Sequence, residues 1–211
     1  MLDYTEYLKI FVALLAVINP LGAISMFIAL TPGKEIKARQ NIARIASFSA
    51  TLILLVALVA GEGVLAIFGI SVSSFRVGGG ILILLLAISM LQAQRSLTVQ
   101  TKEEAEESDS KQDIAIVPLS TPLLAGPGSL STVVLQAHKG TGWAHEALIA
   151  LAIVAVGICI WTSLHLAPWI SRRLGQTGIN IFTRIMGLIL AAIAVEFIAN
   201  GLKGLFPALA G

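Results

Sequence analysis

Proline follows a helix-starting residue at three points inside apolar sequence: Asn19-Pro20 in INPLGA (18–23), then Thr121-Pro122 and Gly126-Pro127 in STPLLAGPGS (120–129). Asparagine, threonine and glycine suit the position just before a helix, and proline suits the first position inside it. In a helix interior the same proline removes an N–H donor and costs about 3 kcal/mol or more. Each pair therefore reads as the start of a new helical segment. Such a start presents unpaired N–H groups and roughly half a positive charge, which suits a carboxylate. The end of the preceding segment offers free carbonyls, which suit an ammonium group or a cation. Two such interruptions brought together provide poles for both ends of a zwitterion. The surrounding residues are small (Gly22, Ala23, Ser25, Ala125, Gly126, Gly128, Ser129, Ser131), and neither interruption holds an aromatic, lysine or arginine. A compact neutral zwitterion fits this chemistry better than a polycyclic or strongly charged solute. The candidate substrate-binding residues are Asn19, Pro20, Gly22, Thr121, Pro122, Gly126, Pro127, Gly128 and Ser129. Asn19 either orients the substrate or acts only as a cap, and the two roles are compatible.

Four charged residues lie in or beside apolar runs. A carboxylate at membrane depth is costly unless paired, protonated or facing water, so Glu62 and Glu196 are candidate proton sites. Arg76 and Arg184 could form gating ion pairs with them. The competing reading places all four at the membrane rim. Nothing points to catalysis: there is no nucleophile–base pair, no Walker A sequence and no metal-ligand spacing among His138, His145 and His165. The single Cys159 has no partner for a disulfide and reads as a small packed residue. The expectation is a non-enzyme without cofactor or metal, driven by a proton or sodium gradient.

The elements that must position these residues are membrane helices. Apolar residues make up 56% of the 211 positions and charged residues only 12%, against about a quarter charged in an ordinary soluble domain. Mean hydropathy is +0.90. Several apolar runs reach the ~20 residues that cross a hydrocarbon core. Six spans are expected near 8–30, 41–68, 76–93, 114–137, 146–170 and 182–205. Asp3 and Glu6 precede the first run in place of a basic cluster, so it reads as a retained helix and not as a signal peptide. The net charge of +2, with basic residues spread among loops, gives no nucleic-acid patch. Lysines and arginines concentrate in the loops after spans one, three and five, which places those loops in the cytoplasm and both termini outside. A plasma (inner) membrane protein of a prokaryote is expected. Sequence leaves its oligomeric state open.

The polar, acidic stretch 98–113 divides the chain into halves, 1–97 and 114–211, and reads as a flexible cytoplasmic linker. The halves echo each other. Gly69, Ile70, Arg76 and Gly79 match Gly178, Ile179, Arg184 and Gly187, and Pro20 and Pro127 lie 107 residues apart. Three spans per half force the second half to enter the membrane from the opposite side. The predicted fold is an all-α membrane protein of two inverted three-helix repeats, with helices 1 and 4 broken. That architecture is common among secondary transporters, and paired breaks in corresponding spans point to their binding sites.

INPLGAISMFIALTP (18–32), STPLLAGPGSLSTVV (120–134) and TRIMGLILAAIAVEFIANGL (183–202) resemble segments of the MarC family of bacterial and archaeal integral membrane proteins. The resemblance covers essentially the whole chain. It implies kinship with LysE-type exporters and, from one branch, proton-coupled transport of small neutral amino acids such as glycine and alanine. The positions that carry it are Asn19, Pro20, Gly22, Pro122, Gly126, Pro127, Gly128 and Ser129. The leading expectation is a transporter of such amino acids. The alternatives are an exporter of another small metabolite or toxic solute, or a non-transporting membrane scaffold.

Overall fold

The computed structural model describes residues 3–92, 119, 124–140 and 142–210. The predicted linker 98–113, and Thr121 and Pro122, lie outside the described residues. The described elements are all helical: α1 (Tyr4–Ile18), α2 (Pro20–Leu30), α3 (Ile36–Ile67), α4 (Val72–Leu91), α5 (Pro127–Ala137), α6 (Trp143–His165) and α7 (Ala167–Leu205), with a final 3₁₀ turn at Pro207–Ala210.

Local chemistry sets the boundaries. Asp3 caps α1 by accepting from the Tyr4 N–H at 2.8 Å, and Ser71 caps α4 by accepting from the Ser74 N–H at 3.1 Å. Between α1 and α2 stands Asn19, the one non-glycine residue described with positive φ (47°). Asparagine tolerates this left-handed conformation where a residue with a bulky Cβ would not. Gly175 (φ 62°) bends α7 at a point where the sequence suggested a loop between spans five and six. The described part of the fourth predicted span centres on α5, whose eleven residues reach ~16 Å, about half a hydrocarbon core.

Among the described residues, five segments are long and apolar enough to cross a membrane: Tyr4–Leu30, Ile36–Ile67, Val72–Leu91, Trp143–His165 and Ala167–Leu205. Their outer faces expose large hydrophobics such as Val59, Leu85, Leu151, Ile158 and Leu188, as lipid contact requires. The molecule is a multi-pass integral membrane protein.

In lipid, helices associate by close packing, so small residues mark the seams. The most extensive seam joins α4 to α7, running antiparallel. A Cβ on Gly80 would stand 3.0 Å from the Ala194 carbonyl oxygen and 3.1 Å from the Ile198 nitrogen. A Cβ on Gly187 would stand 3.1 Å from the Ala87 carbonyl oxygen and 3.2 Å from the Leu91 nitrogen. Positions 80, 87 and 91 differ from 187, 194 and 198 by 107 throughout. The same offset separates Pro20 from Pro127 at the starts of α2 and α5, and Ile36 from Trp143 at the starts of α3 and α6.

α5 is the most enclosed helix. Gly128, Ser129, Ser131, Thr132, Val133, Val134, Leu135 and Gln136 are all buried. Gly61 of α3 lies against Val134, and Gly79 of α4 against Ser131.

Candidate functional site

The two interruptions meet. The Cα of Gly128 faces the side chains of Val17 and Ile83, and a Cβ there would sit 3.4 Å from a carbon of each. Val17 lies in the last turn of α1, two residues before Asn19, and Ile83 lies midway along α4. The start of α5 therefore abuts the end of α1 in the middle of the bundle. Asn19, Pro20, Gly128 and Ser129 are buried there; Gly22 and Gly126 are half-buried and Pro127 is exposed.

The two starts differ in chemistry. At α2, the Asn19 side chain folds back and its Oδ1 accepts from the Gly22 N–H at 3.2 Å. Gly22 is the residue that allows this, because a Cβ on it would collide with the Asn19 amide. At α5, the cap position is Gly126, and no side chain among the described residues caps the helix. Ser129 Oγ donates instead to the carbonyls of Gly126 (2.9 Å) and Leu124 (3.3 Å). Among the described residues, the amide-rich pole of α5 thus has no side-chain cap, while that of α2 is closed by its own asparagine.

The four charged candidates do not join these residues. Glu62 pairs with His138, Oε1 to Nδ1 at 2.7 Å, linking α3 to the turn after α5, and both groups are half exposed. Among the described residues, Arg76, Arg184 and Glu196 form no ion pair, and Arg184 and Glu196 are exposed. The expected arginine–carboxylate gates are not formed in this conformation.

Sequence reasoning missed two polar clusters at the bundle ends. His145, expected in a loop, stands in the first turn of α6 and is fully buried (0% exposed). Its Nδ1 lies 2.9 Å from the Tyr7 hydroxyl, and its Nε2 lies 3.1 Å from the Gln136 carbonyl oxygen. The signal available was the helix start at Trp143, three residues earlier than the hydropathy edge. At the opposite end, Arg39 of α3 donates Nη2–H and Nε–H to the Thr31 carbonyl at 2.8 and 3.2 Å, just past the end of α2. Gln176 of α7 also donates to Ser25 Oγ of α2 at 3.0 Å. Two adjoining cavities open at this end. One, of about 300 Å³, is lined by Lys37, Gln40, Asn41, Arg44, Trp161 and His165. The other, of about 190 Å³, includes Phe27, Arg39, His165 and Arg172. Neither includes a residue of the interruptions. No group of three His, Cys, Asp or Glu side chains among the described residues could hold a metal.

Bundle and seams define a helical integral membrane protein whose core is interrupted by short helices. More particularly, residues 4–206 match the family described as MarC family integral membrane protein, and the chain belongs to that family. It is 41% identical to the UPF0056 membrane protein BU267 of Buchnera aphidicola subsp. Acyrthosiphon pisum (strain APS), over 98% of this chain and 96% of that one. It is 40% identical to the UPF0056 membrane protein YhcE of Escherichia coli (strain K12), with the same coverage. Against the UPF0056 membrane protein MJ1677 of the archaeon Methanocaldococcus jannaschii the identity is 38%, over 96% of this chain and 98% of that one. No solved structure matches.

Proposed function

We propose that the protein is a secondary transporter of small neutral amino acids, of the size of glycine or alanine, driven by a proton gradient. The observation that carries this reading is that the proline-begun start of α5 abuts the last turn of α1, just before the proline-begun start of α2. The substrate carboxylate would bind the uncapped amides of α5. The ammonium group would face the carbonyls at the end of α1, beside Asn19. Gly128 would leave room for only a small substrate there, and Ser129 would border it.

We infer further that residues 1–97 and 114–211 are inverted repeats, with α2 and α5 as equivalent half-helices joined to broken spans. The constant offset of 107 between reciprocal contacts across the α4–α7 seam supports this, because a two-fold relation makes such contacts come in pairs. Alternating access would then move one repeat against the other about that seam. The end bearing Lys37, Arg39, Arg44 and Arg172 is read as cytoplasmic from its basic loops, and the end bearing Tyr7, His138 and His145 as external.

Purified protein in proteoliposomes tests the assignment. Glycine and alanine should accumulate under an imposed gradient and larger amino acids should not. Failure of both to bind or cross under proton and sodium gradients removes the reading. One observation favours a second solute class: among the described residues, the two cavities are lined by cations and by no carboxylate, which suits a small anionic metabolite entering for export. Accumulation of such an anion in place of glycine decides for it.

A further inference from the structure

We propose that His145 is the proton-binding site of the external end, and that its protonation releases the latch tying α5 to α1 and α6. This rests on the transporter reading for its role, but the latch has its own geometry. A carbonyl oxygen can only accept, so His145 Nε2 carries hydrogen and donates to Gln136. In the neutral ring Nδ1 then has only a lone pair, and the Tyr7 hydroxyl donates to it. One protonation state thus satisfies both bonds, joining three helices through one imidazole.

A proton arriving at Nδ1 turns that nitrogen into a donor. The Tyr7 hydroxyl must then rotate to accept, and its own hydrogen needs another acceptor. Gln136 Oε1 is a buried oxygen without a hydrogen-bond partner, on the residue whose carbonyl already holds the ring. Histidine is the side chain that changes charge near neutral pH. The corresponding tie at the other end of the bundle is Arg39 on the Thr31 carbonyl, and a guanidinium stays charged throughout. One latch is permanent and the other is switchable.

The titratable neighbours on each packed element are few. On α1 they are Tyr7 itself and the exposed Glu6–Lys9 pair. The turn after α5 carries Lys139, and His138 paired to Glu62 of α3. On α6 Glu146 follows directly and is exposed. Among the described residues, only Tyr7 and Gln136 hydrogen-bond to the ring. Gly140 closes the turn over it, since a Cβ there would lie 2.7 Å from the ring.

The test compares wild type with His145→Gln, which keeps a donor for the Gln136 carbonyl and binds no proton, and with His138→Gln as the control. In proteoliposomes, accumulation of glycine or alanine driven by a pH gradient should fall at least ten-fold in His145→Gln, while exchange of pre-loaded substrate persists. Hydrogen exchange of amides 134–139, corrected for intrinsic pH dependence, should show protection that falls from pH 8 to pH 5 in wild type and His138→Gln, and stays flat in His145→Gln. Tyr7→Phe, which removes only the hydroxyl, should shift that transition and serves if His145→Gln misfolds. Unchanged gradient-driven accumulation, or an unchanged exchange profile, in His145→Gln overturns the proposal. If wild type moves neither amino acid while the exchange transition vanishes in His145→Gln, the proton site stands and the transporter reading falls.

Discussion

α2 and α5 have the same length and the same proline start, yet they are finished in opposite ways. The first is closed at both ends by its own chain: Asn19 caps its start, and Arg39 holds the carbonyl just past its end. The second begins at a glycine with no side-chain cap and ends under a titratable imidazole. Among the described residues, the two helices thus combine equal length with unequal capping. A pair of identical, fully capped half-helices would pack well and bind nothing.

The seam beneath both helices sets the largest expected effect. Replacing Gly187 or Gly80 with leucine drives a side chain into backbone atoms of the facing helix, which cannot turn away. Both variants should lose the folded state in detergent, read as aggregation on size exclusion. Because the contacts are reciprocal, the two should fail equally. A folded Gly80→Leu protein beside an unfolded Gly187→Leu one would break the equivalence of the halves.

Gly128→Leu comes next and sharpens the contrast between α2 and α5. Its neighbours, Val17, Ile83 and Leu86, are flexible side chains at 3.4–4.0 Å, so the fold can adjust. The variant should insert and stay monodisperse while transport falls at least ten-fold, measured as glycine uptake. Gly128→Ala should keep most of the activity. Loss of folding in both would assign Gly128 to packing alone.

At α2 the same logic predicts stability effects without a large change in selectivity. Asn19→Ala removes the cap and keeps a Cβ in the left-handed conformation, which should cost about 1–3 kcal/mol in thermal or denaturant unfolding. Asn19→Gly loses the same hydrogen bond but relieves the backbone, and should cost only a few tenths of a kcal/mol. Gly22→Ala should resemble Asn19→Ala, because it evicts the capping side chain. If Asn19→Gly abolished transport while leaving stability intact, the side chain would be a substrate ligand and α2 would be no mere support.

These residues also show what a sequence can disclose. The apolar runs and the Asn-Pro and Gly-Pro pairs are local signals, and they locate the membrane segments and the starts of α2 and α5 directly. Registration between distant segments is not local. The sequence match set Gly79 against Gly187, whereas packing pairs Gly80 with Gly187, since each meets the backbone of the facing helix. In a GGG run only three-dimensional contact decides which glycine faces the neighbour. His145 was hidden for a related reason. Hydropathy ends a span at the first polar residues, but a histidine whose two nitrogens are both satisfied can sit inside the bundle. Glu62 drew attention as a lone carboxylate in apolar sequence, yet its partner, His138, lies 76 residues away and half exposed.

That last pair gives the smallest expected effect and a control for the others. Glu62 and His138 meet through one hydrogen bond, which either the neutral Nδ1–H tautomer or the charged ring can donate to the carboxylate. The pair is open to solvent, which limits it to roughly 0–1 kcal/mol even when charged. Glu62→Gln, which keeps an acceptor for the ring, should therefore lower the unfolding midpoint only slightly, with any charge-dependent part shrinking at high salt. This end of the bundle then carries two histidines with different surroundings. One is exposed and weakly coupled; the other is buried and ties three helices. A double variant, Glu62→Gln with His145→Gln, should show additive unfolding shifts, because the Glu62–His138 contact shares no hydrogen bond with the Tyr7–His145–Gln136 cluster. Non-additivity well above ~0.5 kcal/mol would mean that the turn after α5 transmits one charge to the other, and that the latch is larger than the three residues that form it.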